Sequence, residues 1–171
     1  IGFFNGINTL LGIDSGIVLG SEGVYTLDPD TMNSANPPFF NIPIPGPSDP
    51  DLLAVANSVP GMIGQTFSVS SVNDIAILEF DFIPTSDSLQ FRYAFGSQEY
   101  FGFENSAFND VFGFFLSGPG IAGPWANAAV NLAYVPNTNP PFPITISSVC
   151  NNPLLGIMNP QYFVSNQNRV L

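Results

Sequence analysis

Hydrophobic and polar residues alternate most regularly between positions 78 and 95 of this chain. Leu78, Phe80 and Phe82 alternate with Glu79 and Asp81; Leu89, Phe91, Tyr93 and Phe95 alternate with Gln90, Arg92 and Ala94. A period of two over this length predicts two half-buried strands, and Pro84-Thr85-Ser86-Asp87 between them predicts the turn of a β-hairpin. If Ile83 pairs with Ser88, then Phe82 faces Leu89, Phe80 faces Phe91 and Leu78 faces Tyr93, so the apolar set shares one face. The same register sets Glu79 opposite Arg92, a cross-strand ion pair worth about 0.2 to 1 kcal/mol on an exposed face.

The remaining pattern predicts more strands. Gly16 to Gly20 reads as a short buried strand and Gln65 to Val72 alternates through Phe67, Val69 and Ser71. Val111 to Leu116 is apolar on both faces, as a central strand is; Val130 to Val135 and Ile144 to Val149 are two further candidates. Residues 28 to 62 lose periodicity in proline-rich connection, and a loop of that length is usually functional or packed on a partner. Within it a short helix is predicted at Asp51 to Asn57, capped by Ser48 or Asp49 with Pro50 near its first turn. Strands separated by turns predict an all-β fold, an antiparallel β-sandwich of jelly-roll type with long Pro/Gly-rich loops.

Composition supports that class and removes several chemistries. The 171 residues include 17 prolines, 16 glycines and 17 phenylalanines, which favours short strands and loops over helices. A length of this order makes one ordinary domain with a real core. Thirteen carboxylates face two arginines, without lysine, for a net charge of -11. Nucleic acid and anionic membranes need clustered cations, so neither is an expected partner, whereas divalent cations suit the balance. The absence of histidine removes Ser-His-Asp and Cys-His nucleophile systems, and with a single cysteine it removes an ordinary zinc site. Cys150 is a buried small side chain, a free thiol, or half of a bridge to residues outside this segment. No run of about twenty apolar residues is present, so no membrane insertion is expected. The opening IGFFNGINTLLGIDSG lacks the basic start of a signal peptide, which predicts a chain that begins inside a longer precursor.

The acidic loop after the alternating segment is the candidate site. Glu99, Glu104, Asn109 and Asp110 fall within twelve residues, and Asp81 and Asp14 could complete them from neighbouring strands. Calcium takes six to eight oxygens from carboxylates, amides and backbone in flexible geometry, which such a loop can supply. The EF-hand order is missing. The alternative is that Glu99 and Glu104 are solvated charges while Asn109-Asp110 caps a turn. Trp125, in a Gly/Pro-rich loop, is read as a plug at the end of the sandwich, with sugar stacking as the alternative.

Five segments carry a family resemblance: GIDSGIVL at 12–19, DPDLLAVA at 49–56, LEFDFIPTSDSLQFRYAFGSQEY at 78–100, FNDVFGFFLSGPGI at 108–121 and VNLAYVPNTNPP at 130–141. In order and over essentially the whole chain, they resemble the choice-of-anchor L domain of large secreted and surface proteins of bacteria, especially Bacteroidetes. The resemblance implies secretion and surface exposure, with the type 9 system as a route, and carries no known activity. Against that pattern, strands are expected to be missing at both ends. Residues 1–171 therefore read as a single domain, an internal piece of a larger secreted polypeptide.

Three functional classes follow. The first is a non-catalytic extracellular surface module, stabilised by calcium, that spaces or presents adhesive parts of a large protein; its partners are other domains of the same polypeptide or neighbouring surface subunits, with glycan as a further option. The second is a component of an extracellular filament or cell-surface complex, in which neighbours cover apolar loops such as 36–47 and 118–125. The third is a carboxylate-based glycosidase, which needs neither histidine nor cysteine but requires two carboxyls about 5 to 9.5 Å apart in an aromatic groove. The first is the reading carried forward, and it makes the chain no enzyme.

Overall fold

The computed structural model describes residues 1–7, 11–21 and 48–165. The chain divides into two compact units: residues 1–47, 73–94 and 165–171 form the first, and 48–72 with 95–164 form the second. The strand expected at Gly16 to Gly20 falls slightly earlier in the first unit. There β1 (Gly2–Asn5) pairs antiparallel with β2 (Ser15–Val18), Phe3 opposite Ile17 and Phe4 opposite Gly16. Glycine at 16 lets the Phe4 ring lie close, since a Cβ there would be 2.9 Å from the ring and would push it aside. The Gly6 N–H donates to the Asp14 carbonyl at 2.8 Å, so Asp14 closes the turn of this pair.

The predicted hairpin at 78–95 does not form. The segment contains no strand, and Glu79 and Arg92 make no ion pair among the described residues; Arg92 donates to the Gly12 carbonyl instead. Two local features explain this. The Ser86 hydroxyl donates to the Ser88 carbonyl at 2.8 Å, occupying a group that the expected Ile83–Ser88 pair needs. An isolated two-stranded hairpin is also marginal in water.

In the second unit the helix is longer than predicted. α1 runs Pro50–Met62, and the Asp49 carboxylate accepts from the N–H groups of Asp51 and Leu52, both at 2.9 Å. Leu52, Val55, Ala56 and Val59 recur at helical spacing, and the last three are fully buried. Pro60 lies inside the helix without ending it. The helix ends at Met62 with Ile63 as its C-cap; Gly64 follows at φ +72, and the Gln65 N–H donates to the Pro60 carbonyl at 2.8 Å. The strand expected at Gln65 to Val72 is absent. The Asn57 side-chain amide instead brackets Val69, donating to its carbonyl and accepting its N–H, both at 2.9 Å.

The central strand expected over Val111 to Leu116 breaks in two. β3 (Val111–Phe112) pairs with β6 (Ile144–Thr145), and β4 (Phe115–Leu116) pairs with β5 (Val130–Asn131). Gly113 sits at the break, where a Cβ would meet the Leu52 and Phe115 side chains at 2.9 and 2.6 Å. Asn131 ends β5, its Oδ1 accepting the N–H groups of Phe114 and Ala133, so the expected strand to Val135 is cut short. The strand expected through Val149 is likewise interrupted. The Ser148 hydroxyl accepts the Thr145 N–H at 2.8 Å and builds a buried turn, after which β7 (Cys150–Asn152) pairs with β8 (Gly156–Met158).

The core of this unit is Ala133, Val135, Ile144 and Val149, with Phe95, Phe112, Phe114, Phe142 and Phe163 packed on it. Phe112 and Phe114 thus face this core, whereas Phe115 packs on Trp125. The described residues are mostly β with one α-helix, in four short two-stranded antiparallel sheets that do not close on one another.

Candidate functional site

Four of the five predicted ligands lie in the second unit, and the structure gives them three different jobs. Asn109 is 4 % exposed and works as a clasp. Its Nδ2 donates to the Ala56 carbonyl at 3.2 Å, and its Oδ1 accepts the Ser147 N–H at 3.3 Å. Ala56 would ordinarily receive the N–H of residue 60, but Pro60 has none. Asn109 supplies that missing donor.

Glu104 is 2 % exposed, and both its oxygens are engaged. Oε1 accepts the Phe101 N–H at 2.8 Å and Oε2 accepts the Asn152 amide at 3.1 Å. It holds a turn in which Phe101 takes φ 68, a conformation that bulky residues rarely adopt. The neighbouring rings help to fix the turn: Tyr100 and Phe101 both meet Phe163 edge-on, at centroid distances of 4.9 and 5.7 Å. Tyr100 also donates its hydroxyl to the Val149 carbonyl at 2.9 Å. Burial raises its pKa above the ordinary tyrosine value, with Cys150, Glu104 and Asp110 adding to the effect.

Glu99 and Asp110 form the remaining pair, with Ser97 beside them. The Ser97 hydroxyl donates to Asp110 Oδ2 at 2.7 Å and accepts the Glu99 N–H at 2.9 Å. Glu99 Oε2 is shielded from solvent and has no hydrogen-bond partner. Burial first, and the Asp110 charge second, push the Glu99 carboxyl above its ordinary pKa. Two carboxylates that repel one another, one with an idle oxygen, can be relieved by a proton or by a cation.

Asp81 and Asp14 belong to the first unit, and Asp81 is exposed there. Among the described residues no three His, Cys, Asp or Glu side chains gather closely enough to hold a metal ion. Ser97 and Asn152, which complete the two carboxylate sites, were not legible in the sequence. Ser97 sits two residues from Glu99 and could have been suspected from that spacing, whereas Asn152 is forty-eight residues from Glu104 and gave no local signal. Cys150 is fully buried, its pKa raised chiefly by that burial, and its thiol lies 3.7 Å from the Ser147 carbonyl. Trp125 is half-buried, edge-on to Phe115 at 5.6 Å, in a loop where the Gly123 N–H donates to the Ala128 carbonyl at 2.7 Å.

The chain belongs to the choice-of-anchor L domain family, whose model matches residues 1–170. That membership implies a secreted or surface protein, in a family not known for enzymatic activity. Among the described residues no helix is long and apolar enough to cross a membrane. Neither the curated proteins nor the solved structures include a match to this chain.

Proposed function

We propose that this chain is a non-catalytic extracellular module of a larger surface protein, stiffened by a weakly held calcium ion at Glu99 and Asp110. The observation that supports it is the shielded, partnerless Glu99 Oε2 beside a second carboxylate. Two carboxylates and the Ser97 hydroxyl supply up to five oxygens, and backbone carbonyls and water would supply the rest. So small a charged set suits the weak end of calcium affinity, about 10⁻⁴ to 10⁻³ M, typical of extracellular modules. Glu104 and Asn109, once candidate ligands, act as supports that hold the loop around the pair. The sandwich expected from sequence belongs to the same reading, as what further strands could build on these short ladders. The role is to space or present neighbouring parts of the surface protein.

Thermal unfolding followed by Trp125 fluorescence, in excess calcium and again in chelator, tests the calcium reading. Trp125 lies in the same unit as the pair and reports on it. Calcium at one hundred times its dissociation constant adds about 2.7 kcal/mol, a midpoint rise of roughly 5 to 10 °C. Glu99→Gln with Asp110→Asn should abolish that rise while the unit stays folded. An equal rise in the double variant would remove calcium from this pair.

A component of a filament or surface complex is the second reading. It is favoured by the large apolar side chains that stand exposed on the chain, among them Phe80, Ile83 and Phe108.

A further inference from the structure

We infer that residues 76–83 are an open docking strand, which takes up a β-strand of another polypeptide whose side chains alternate between apolar and basic. The inference is independent of the calcium reading, because this segment lies in the first unit and contains none of Glu99, Asp110 or Ser97.

Three observations carry it. The first is the backbone. No hydrogen bond joins residues 75–83 to another described residue, although the run contains no proline, Pro84 coming just after it. A row of N–H and C=O groups in this condition is a template for strand addition. The second is the apolar face. Leu78, Phe80 and Phe82 alternate along the run and are 41, 52 and 41 % exposed. The Phe80 and Phe82 rings stand 6.1 Å apart, as neighbours on one face of an extended chain would. Contiguous apolar surface of this kind marks an interaction site more often than a solvated one.

The third observation selects the occupant. Glu79 and Asp81 occupy the two central alternate positions, flanked on the same face by the exposed Ile77 and Ile83. In a second copy, antiparallel registers centred on 79, 80 or 81 set Glu79 against Glu79, Glu79 against Asp81, or Asp81 against Asp81. Like charges directly opposite destabilise a strand pair. The chain is poorly equipped to pair with itself elsewhere, since it has no lysine and its net charge is -11. Arg92, the sole arginine within the alternating stretch, is engaged with the Gly12 carbonyl. A strand of another polypeptide with apolar residues beside Leu78, Phe80 and Phe82, and Lys or Arg opposite Glu79 and Asp81, meets both requirements: it extends the apolar face with apolar neighbours and neutralises the acidic pair.

The test uses the 171-residue chain and two nine-residue peptides, one alternating valine with lysine and the other valine with glutamate. Calorimetric titration should show the lysine peptide binding at least about tenfold tighter, with affinity falling as salt is raised. Consecutive N–H groups of a strand point to opposite edges, so either Phe80→Pro or Asp81→Pro must remove a bonding donor and weaken binding. Should the prolines disturb the fold, E79K with D81K keeps the inference exposed to failure, since it should reverse the preference toward the glutamate peptide. Amide hydrogen exchange on the free chain should show residues 76–83 unprotected, and protected once the lysine peptide is bound. Equal affinity for the two peptides, no binding of either, or protected 76–83 amides in the free chain would each overturn the inference. So would a dimer in sedimentation that the proline variants abolish, because a second copy would then be the occupant. Absence of any calcium stabilisation of the wild-type chain, with peptide binding intact, would overturn the calcium reading alone.

Discussion

Removing the Asn109 side chain isolates the most instructive contact in the molecule. Asn109→Ala deletes the donor to the Ala56 carbonyl and the acceptor for the Ser147 N–H, both in the interior. Each buried polar group left without a partner costs about 1 to 3 kcal/mol. The two distances, 3.2 and 3.3 Å, lie at the long end of the hydrogen-bond range, so the lower half applies. The expected loss is about 2 to 4 kcal/mol. With a urea dependence near 2 kcal/mol per molar, that moves the unfolding midpoint down by roughly 1 to 2 M, and Trp125 fluorescence reads it in the same unit.

The physical account is then tested by its partner. In a Pro60→Ala background, residue 60 regains an N–H and can donate to Ala56, as an uninterrupted helix would. Asn109→Ala should then lose only the Ser147 contact, and its cost should shrink by about 1 to 2 kcal/mol, the coupling expected of residues that serve one acceptor. If Asn109→Ala costs the same in both backgrounds, to within about 0.5 kcal/mol, the amide is not substituting for the missing helix donor.

Two further outcomes are expected. Because the Glu99 carboxyl is held above its ordinary pKa in the folded chain, the folded state binds that proton more tightly than the unfolded one does. Its unfavourable contribution is therefore fully present above the raised value and vanishes as pH falls through the raised value to the ordinary one. Measured in chelator, Glu99→Gln should be more stable than wild type near neutrality, and the gap should close on acidification; a gap independent of pH would contradict the cause assigned. Gly123→Ala places a Cβ 1.9 Å from the Ala129 carbonyl oxygen, so the loop carrying Trp125 must open. The expected readout is a red-shifted, more quenchable tryptophan, and an unchanged spectrum would mean that the loop is not held by that close approach.

The amino-acid sequence by itself determined the β-rich class, the start of the helix and the exclusions. Asp49-Pro50 is a helix start on local chemistry alone, since the carboxylate reaches the first free N–H groups and proline brings a preset φ. A chain without histidine or lysine cannot host the chemistries those side chains perform. Tertiary structure decided the rest, because the deciding contacts join residues far apart in the chain. Where the helix passes through Pro60, the donor that proline lacks is supplied by Asn109, forty-nine positions later. Apolar alternation at 78–95 states which residues share a face and is silent on which strand they meet, so the hairpin it predicted gave way to competing local bonds. Four acidic-loop residues looked equivalent as oxygen donors until the fold sorted them. Asn152 and Phe101 claim Glu104, Ala56 and Ser147 claim Asn109, and Glu99 is left beside Asp110 with an oxygen unspent. A hydrogen-bonding side chain advertises its capacity in the sequence; its partner is chosen by whatever the fold brings within about 3 Å.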